Sequence, residues 1–220
     1  MANQLNITTP IDDIVELESQ FLSTKSLEER KSKGQFFTGE RVAQYMASLI
    51  VPPDDQHISI LDAGAGTGIL AAMTALSMID KPVVSAVLYE IDEDVIPYLK
   101  QTLKIVENTF KQAGHRFEYE IRNIDFVLNP PEEQFHVSVI NPPYFKYNVK
   151  TSPYAGAAKH LYKGDPNIYA SFMAIVMDRL KDGGQLVSIT PRSFTNGLYF
   201  KWFRHYLLDH SALNTIHIFK

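Results

Sequence analysis

The chain has 220 residues, of which 45% are hydrophobic, and its formal net charge is −4. This length predicts one α/β domain, or one domain with small appendages. The acidic balance excludes a histone-like polycation. Positive charge for binding a polyanion would have to be local, or carried by a partner or another segment.

Cysteine is absent from the sequence. Its absence excludes disulfides, thiolate metal sites and a cysteine nucleophile. The N-terminal residues lack the basic-then-apolar pattern of a signal peptide, and no apolar run reaches the roughly 20 residues that a membrane span needs. We therefore expect a soluble, cytoplasmic protein with no membrane partner.

The first predicted elements are helical. An imperfect apolar face over residues 11–22 predicts a helix from Ile11 to Lys33, with a charged end. The loop KGQFFTGE follows, and a second helix is expected over Glu40–Ile50. We expect residues 1–33 to form an N-terminal helical segment and residues 34–220 to form the main domain.

Strands and helices alternate along the rest of the chain. The predicted strands are Ile58–Leu61, Val83–Tyr89, Phe117–Ile121, Val137–Ile140, Leu186–Ile189 and Thr215–Phe219. The predicted helices are Ile69–Met78, Asp94–Gln112, Ile168–Leu180 and Leu198–Leu208, the third of them stopped by Asp182-Gly183-Gly184. This order predicts an α/β fold with a doubly wound, mostly parallel sheet and helices on both faces.

The stretch ISILDAGAGTGIL combines a strand, a glycine-rich turn and a helix start. Gly64, Gly66 and Gly68 remove the Cβ atoms that would block a ligand, and the adjoining helix N-terminus offers free N–H groups. The spacing departs from the G-x-G-x-x-G of dinucleotide folds, and no Walker Lys-Ser/Thr follows. For this loop alone, a tight turn without a ligand is the alternative.

Carboxylates stand at three successive strand ends. Asp62 precedes the glycine loop, Glu90 ends the next strand in VLYEID, and Asp125 follows in RNIDF. Glu90 can accept hydrogen bonds from ribose hydroxyls, Asp125 can accept one from an adenine amine, and Phe126 can cover the ring. The carboxyl edge of such a sheet is where ligands bind, so these patterns predict a ligand that carries adenosine.

The stretch VSVINPPYFKY ends a predicted buried strand abruptly. The amide oxygen of Asn141 is an acceptor, while Pro142 restricts Asn141 to an extended conformation and offers its own carbonyl. Tyr144 supplies a flat face. Two fixed acceptors beside an aromatic ring suit the binding of a planar NH2 group, and a plain turn is the alternative.

These motifs resemble those of S-adenosylmethionine-dependent adenine-N6 DNA methyltransferases of restriction–modification systems, which have a Rossmann-like fold. LDAGAGTG resembles their motif I, YEID motif II, NIDF motif III and NPPY the catalytic motif IV. KGQFFTGE resembles motif X, with Gly39 in place of the usual proline, and GDPNIYASF resembles motif V. Motif X at the N-terminus resembles the gamma class, and the sequence is closest to Eco57I-like modification methylases.

The resemblance implies catalytic roles for Asn141, Pro142 and Tyr144, with the target adenine flipped out of the duplex to reach them. No metal is required by such a transfer. The resemblance also implies S-adenosylmethionine as cofactor, bound by Phe36, Phe37, Thr38, Asp62, Ala63, Gly64, Gly66, Gly68, Glu90, Ile91, Asp125, Phe126, Asn141 and Tyr169.

The segment after NPPY interleaves lysines with aromatic residues. Lysines can contact phosphates and aromatic rings can stack on bases, so this segment is a candidate DNA-contacting loop. A solvated loop is the equal alternative. The candidate DNA contacts are Lys146, Lys150, Lys159 and Lys163.

Family members carry a target recognition domain and end their sheet with a further strand. We therefore expect an N-terminal catalytic fragment that lacks both, with DNA as substrate. The expected partners outside this chain are a target recognition domain, a specificity subunit or a restriction subunit. The alternatives are a protein-glutamine or RNA-adenine methyltransferase, and a non-catalytic module that binds S-adenosylmethionine within a larger complex.

Overall fold

The structure, a computed structural model, describes residues 9–26, 28–29, 36–148, 151–155 and 167–219. Its strands are β1 His57–Ala63, β2 Val83–Tyr89, β3 Arg116–Arg122, β4 Phe135–Ile140 and β5 Leu180–Ser188. They form one parallel sheet in the order β3-β2-β1-β4-β5. The strand order reverses between β1 and β4, and open α/β sheets bind ligands at such a point.

Helices cover both faces of this sheet. They are α1 Pro10–Thr24, α2 Glu40–Ser48, α3 Ile69–Leu76, α4 Ile96–Gln112, α5 Ile168–Asp178 and α6 Lys201–His210. Successive strand residues point to opposite faces, so Ile60 packs in the core with α1–α4, while Leu61 packs in the core with α5 and α6. The prediction of a doubly wound parallel sheet is confirmed.

The prediction of one helix from Ile11 to Lys33 is wrong. Helix α1 ends at Thr24, and Lys25 is extended with φ −125° and ψ 135°. Ser26 then forms a capping box, in which its N–H donates to the Glu29 carboxylate at 2.7 Å and its hydroxyl accepts from the Glu29 N–H at 3.1 Å. Such a Ser-x-x-Glu pattern marks the start of a helix. The apolar periodicity alone did not indicate this boundary.

Two other predicted boundaries around the fifth strand are wrong. Helix α5 ends at Asp178 rather than at Leu180, and β5 begins at Leu180 rather than at Leu186. Gly183 and Gly184 lie inside β5, where the pairing with β4 is irregular between Phe135 and Val137. Glycines in a strand mark a bulge, so this pair bends β5 instead of ending the helix.

The predicted strand Thr215–Phe219 is also wrong. Residues 211–219 form no strand, and the side chains of Ile216 and Ile218 are exposed. Alternating apolar residues form a strand only where another strand supplies hydrogen bonds. This segment instead contacts α2, where the Tyr45 hydroxyl lies 3.1 Å from His217 Nδ1. Among the described residues, no helix is long and apolar enough to cross a membrane.

Candidate active site

A cleft of about 470 Å³ opens at the carboxyl ends of β1–β4. This volume falls within the range of small-molecule sites. The loops after four neighbouring strands contribute to it, together with the segment before α2. The predicted cofactor residues that line the cleft are Phe36, Phe37, Thr38, Gly64, Gly66, Glu90, Ile91, Asp125, Phe126 and Asn141.

The glycine loop after β1 has left-handed backbone at three positions, with φ of +85° at Gly64, +56° at Gly66 and +86° at Gly68. A Cβ atom on Gly66 would lie 3.2 Å from the Phe37 ring, at the cleft wall. A Cβ atom on Gly68 would lie 2.6 Å from Leu99 of α4. Gly68 therefore serves the packing of α3 on α4 and does not line the cleft.

Glu90, after β2, is held in place by the backbone. Its two carboxyl oxygens accept from the N–H groups of Gly66 and Asp92, both at 2.8 Å. Burial raises the pKa of Glu90, and these backbone bonds oppose the rise. Because each oxygen keeps a further lone pair, Glu90 can still accept from a ligand.

Asp125, after β3, lies at the same edge and is half-buried. One oxygen accepts from the Leu128 N–H at 3.0 Å, and the other from the Tyr154 hydroxyl at 2.8 Å. Burial and this hydrogen bond raise the pKa of Tyr154 to about 12. Tyr154 also lines the cleft, so the segment after NPPY folds back over the predicted adenine position.

Asp62 lies inside the fold rather than at the cleft surface. Its side chain is fully buried in β1, and neither oxygen has a partner at normal hydrogen-bond geometry. Burial raises its pKa to about 8, and the N–H of Ala71 opposes the rise. A buried carboxyl group with so little hydrogen bonding is costly, and this one lies just before the glycine loop.

Asn141, after β4, is oriented by the segment before α2. Its Nδ2 donates to the Phe36 carbonyl at 2.6 Å and to the Thr38 hydroxyl at 3.0 Å. These acceptors define which end of the amide is oxygen, and they fix Oδ1 on the other side. Phe36 and Thr38 thus hold the amide of Asn141 as well as lining the cleft.

The hydroxyl of Tyr144 contacts the amide oxygen of Asn141. Its hydroxyl lies 2.5 Å from Asn141 Oδ1 and 2.8 Å from the Ile189 carbonyl, and its single proton is shared between these acceptors. Its ring packs against Phe36 at 5.2 Å and is not part of the cleft wall. Burial raises the pKa of Tyr144. In this arrangement the hydroxyl occupies the acceptor that was predicted to receive the substrate amine.

The remaining predicted residues lie in the core rather than in the cleft. Ala63 and Pro142 are buried, and Pro143 lines the cleft in place of Pro142. Tyr169 is fully buried, with its hydroxyl 3.4 Å from Ser193. On a helix of 3.6 residues per turn it lies about 60–100° around α5 from Phe172 and Ile168, which line the cleft instead.

Of the four lysines predicted to contact DNA, Lys146 lies within the described residues. Its ammonium group lies over the ring of Tyr199, 5.1 Å from the centroid. Lys150, Lys159 and Lys163 lie outside the described residues. The role of these lysines stays a prediction.

Sequence reasoning missed several residues that line the cleft. Glu18 comes from α1, which was treated as a separate helical segment. The signal was present, because Glu18 stands in an otherwise apolar stripe with Ile14, Leu17 and Phe21. The other missed residues are Ala65, Thr67, Ile69, Leu70, Tyr89, Asp92, Ile124, Pro143, Phe145, Tyr154, Ile168 and Phe172.

The family model described as Eco57I restriction-modification methylase matches residues 71–220. The chain belongs to this family. The predicted resemblance to Eco57I-like methylases is thereby confirmed. The matched region of this Eco57I-type chain carries the strand ends with Glu90, Asp125 and Asn141, while the glycine loop and the segment before α2 precede it.

Two curated relatives cover most of this Eco57I-type chain. The Type II methyltransferase M.PstI of Providencia stuartii is 34% identical over 86% of this chain and 39% of its own length. The Type II methyltransferase M.BsuBI of Bacillus subtilis is 30% identical over 88% of this chain and 40% of its own length. The chain thus spans about two fifths of the length of these relatives.

A solved structure shares the fold. The methyltransferase subunit of a type I restriction-modification system from Streptococcus thermophilus superimposes with a TM-score of 0.62 at 18% identity, over 79% of this chain and 38% of that one. At this identity the likeness concerns the fold, which is the Rossmann-like fold that the resemblance implied.

Proposed function

We propose that this chain is the cofactor-binding and catalytic part of an adenine-N6 DNA methyltransferase of a restriction–modification system. The observation that carries the proposal is the fixed amide of Asn141 at the tip of β4, beside a cleft built from the tips of β1, β2 and β3. The parent protein would act on the DNA of its own cell, so a cytoplasmic location goes with the proposal.

The cleft suits S-adenosylmethionine by three features of this chain. Gly66 leaves the cleft wide, because a Cβ atom at this position would crowd the Phe37 ring. Glu90 and Asp125 keep acceptor capacity at two neighbouring strand ends. The rings of Phe126 and Phe172 stand 5.1 Å apart at the apolar wall where a nucleobase would lie. When bound, this cofactor would supply an electrophilic methyl group.

The catalytic role that we assign to Asn141 is electrostatic. The amine of adenine is a weak nucleophile, because its lone pair is delocalised into the ring. An acceptor at Asn141 Oδ1, together with the Pro142 carbonyl, would hold the amine protons and leave the lone pair free to react. Such a preorganised contact is worth about 10²–10³ in rate.

The resting position of Tyr144 fits this role. Its hydroxyl donates a hydrogen bond to Asn141 Oδ1, and the incoming amine would displace it. The Ile189 carbonyl, 2.8 Å from the Tyr144 hydroxyl, then remains as its acceptor. The exchange would leave Asn141 Oδ1 and the Tyr144 hydroxyl each with a hydrogen-bond partner.

The substrate and partners are part of the proposal. A target recognition domain, a specificity subunit or a restriction subunit outside this chain would select the DNA site. Lys146 would contact the DNA backbone, together with Lys150, Lys159 and Lys163. A flipped adenine, an RNA adenine and a glutamine amide all present the same planar NH2 group.

The test compares these three possible methyl acceptors directly. The protein is incubated with labelled S-adenosylmethionine and with DNA, RNA or a glutamine-containing release factor, and the DNA is then digested to nucleosides. We expect label in N6-methyl-2′-deoxyadenosine from DNA. Label in N4-methyl-2′-deoxycytidine, in RNA or in protein would replace the proposed substrate.

A further inference from the structure

Glu18 is a buried carboxyl group at the wall of the cleft. It lies on the inner face of α1, with a relative exposure of 5%. Phe21, one helical turn further, packs against Phe37 with ring centroids 5.3 Å apart. Phe37 in turn borders Gly66. Helix α1 thereby delivers Glu18 to the glycine loop.

Glu18 is poorly satisfied by the protein itself. The described hydrogen bond to its side chain comes from the Thr67 hydroxyl at 3.3 Å, beyond the usual range for hydroxyl donors. Burial raises the pKa of Glu18 to about 7, with Thr67 opposing the rise. A buried carboxyl group at the wall of a binding site, held by one long bond, has capacity left for a ligand.

The sheet order locates the part of the ligand that Glu18 would meet. The adenine and ribose positions lie after β3 and β2, at Asp125 and Glu90, so the cofactor would continue over β1 toward Asn141 on β4. Thr67, the partner of Glu18, belongs to the loop after β1. The part of S-adenosylmethionine beyond the ribose is its methionine end.

The charges of the cleft favour a cation there. Its lining carries four carboxyl groups, from Glu18, Glu90, Asp92 and Asp125. Within the part of the chain that the structure describes, no lysine, arginine or histidine lines the cleft. The methionine end of the cofactor carries an ammonium group and a carboxylate, and of these two groups a carboxylate side chain attracts the ammonium group, more strongly when it is buried.

We infer that Glu18 binds the α-ammonium group of the cofactor's methionine moiety, so that α1 is part of the cofactor site. This inference rests on the proposed function. It adds to the predicted site a residue that lies outside all the motifs by which the chain resembles its family.

The test uses calorimetry with two ligands. S-adenosylhomocysteine carries the amino-acid moiety, and 5′-deoxy-5′-methylthioadenosine lacks it but keeps the adenosine and the sulfur. Glu18→Gln keeps the size of the side chain and removes its charge. We expect it to weaken S-adenosylhomocysteine binding about tenfold or more, as the loss of a charged hydrogen bond does, and to leave the second ligand bound as in the wild type.

The outcomes separate the inference from the proposed function. An equal loss for both ligands, or no loss for either, would overturn the role of Glu18 while leaving the cofactor site in place. Failure of the wild type to bind either ligand would overturn both. Glu16→Gln is the matched control, because Glu16 lies exposed on the same helix and accepts from Gln20 at 3.1 Å. Circular dichroism verifies that both variants are folded.

Discussion

Replacing Glu18 with glutamine is expected to stabilise the ligand-free protein at neutral and alkaline pH. The pKa of Glu18 is raised from 4.5 to about 7 by burial. One pH unit of displacement corresponds to about 1.4 kcal/mol, so full ionisation of Glu18 in the folded state costs about 3 kcal/mol. Glutamine removes this cost and can keep the contact with the Thr67 hydroxyl.

The sign of the pH dependence follows from the raised pKa. Below pH 4.5 Glu18 is protonated in the folded and unfolded states, and the substitution changes stability little. Between pH 4.5 and about 7 the folded protein holds a proton that the unfolded chain has released, so wild-type stability falls as the pH rises. Above pH 7 the difference between variant and wild type is constant.

Urea unfolding at pH 4 and pH 8 measures this difference, followed by circular dichroism and by the fluorescence of Trp202. Asp62 and Glu90 also have raised pKa values because they are buried, but they contribute equally to both proteins. The variant should match the wild type at pH 4 and exceed it by up to about 3 kcal/mol at pH 8. A gain of the same size at both pH values would refute the reasoning, because it would not come from ionisation.

Three further predictions concern the Asn141 amide, its partner Thr38 and the glycine loop. Asn141→Ala should lower methyl transfer by about 10²–10³ and change the affinity for S-adenosylhomocysteine by less than threefold; near-normal transfer would remove Asn141 from the mechanism. Thr38→Val removes one of the two described acceptors of the Asn141 side-chain N–H groups and should lower methyl transfer roughly tenfold. Thr38→Ser keeps the hydroxyl and should retain methyl transfer. An equal loss in both variants would indicate that Thr38 acts through packing and not through this hydrogen bond. Gly68→Ala places a Cβ atom 2.6 Å from Leu99 at φ +86° and should lower the urea midpoint by the equivalent of about 2 kcal/mol or more, whereas Gly39→Ala, with open space around it, should leave the midpoint unchanged.

Much of the sheet and of the cleft could be predicted from the sequence, because both depend on local patterns. Short apolar runs set the five strands, and the carboxyl ends of parallel strands meet at one edge. Glu90, Asp125 and Asn141 therefore reach the same cleft although they lie far apart in the chain. The glycine-rich turn was likewise expected at the cleft, and Gly64 and Gly66 line it.

The errors arose where long-range contacts decide the structure. The hydrogen bonds of Asn141 to Phe36 and Thr38 join segments more than 100 residues apart, and no local pattern encodes them. Tyr169 and Phe172 differ by the side of α5 on which they lie, which depends on how the helix rotates against the sheet. In the sequence, Glu18 is one position of an apolar stripe. Its place at the cleft depends on the packing of α1 beside the glycine loop, which no local pattern shows.

The end of the described chain shows the same limit. Residues 215–219 have a good strand pattern, yet they form no strand, and no described strand pairs with them. Pairing in a sheet is a property of two segments, so the pattern of one of them is insufficient. Gly183 and Gly184 were predicted to stop the helix before them, but they lie inside β5, where the pairing with β4 is irregular.

The central claim is that the tips of β1, β2 and β3 hold the cofactor with its reactive end toward Asn141. A crystal structure with S-adenosylhomocysteine tests it most directly. We predict the adenine beside Asp125 and Phe126, the ribose hydroxyls on Glu90, and the sulfur facing Asn141 across the cleft. A ligand bound elsewhere, or bound with its sulfur directed away from Asn141, would contradict the account.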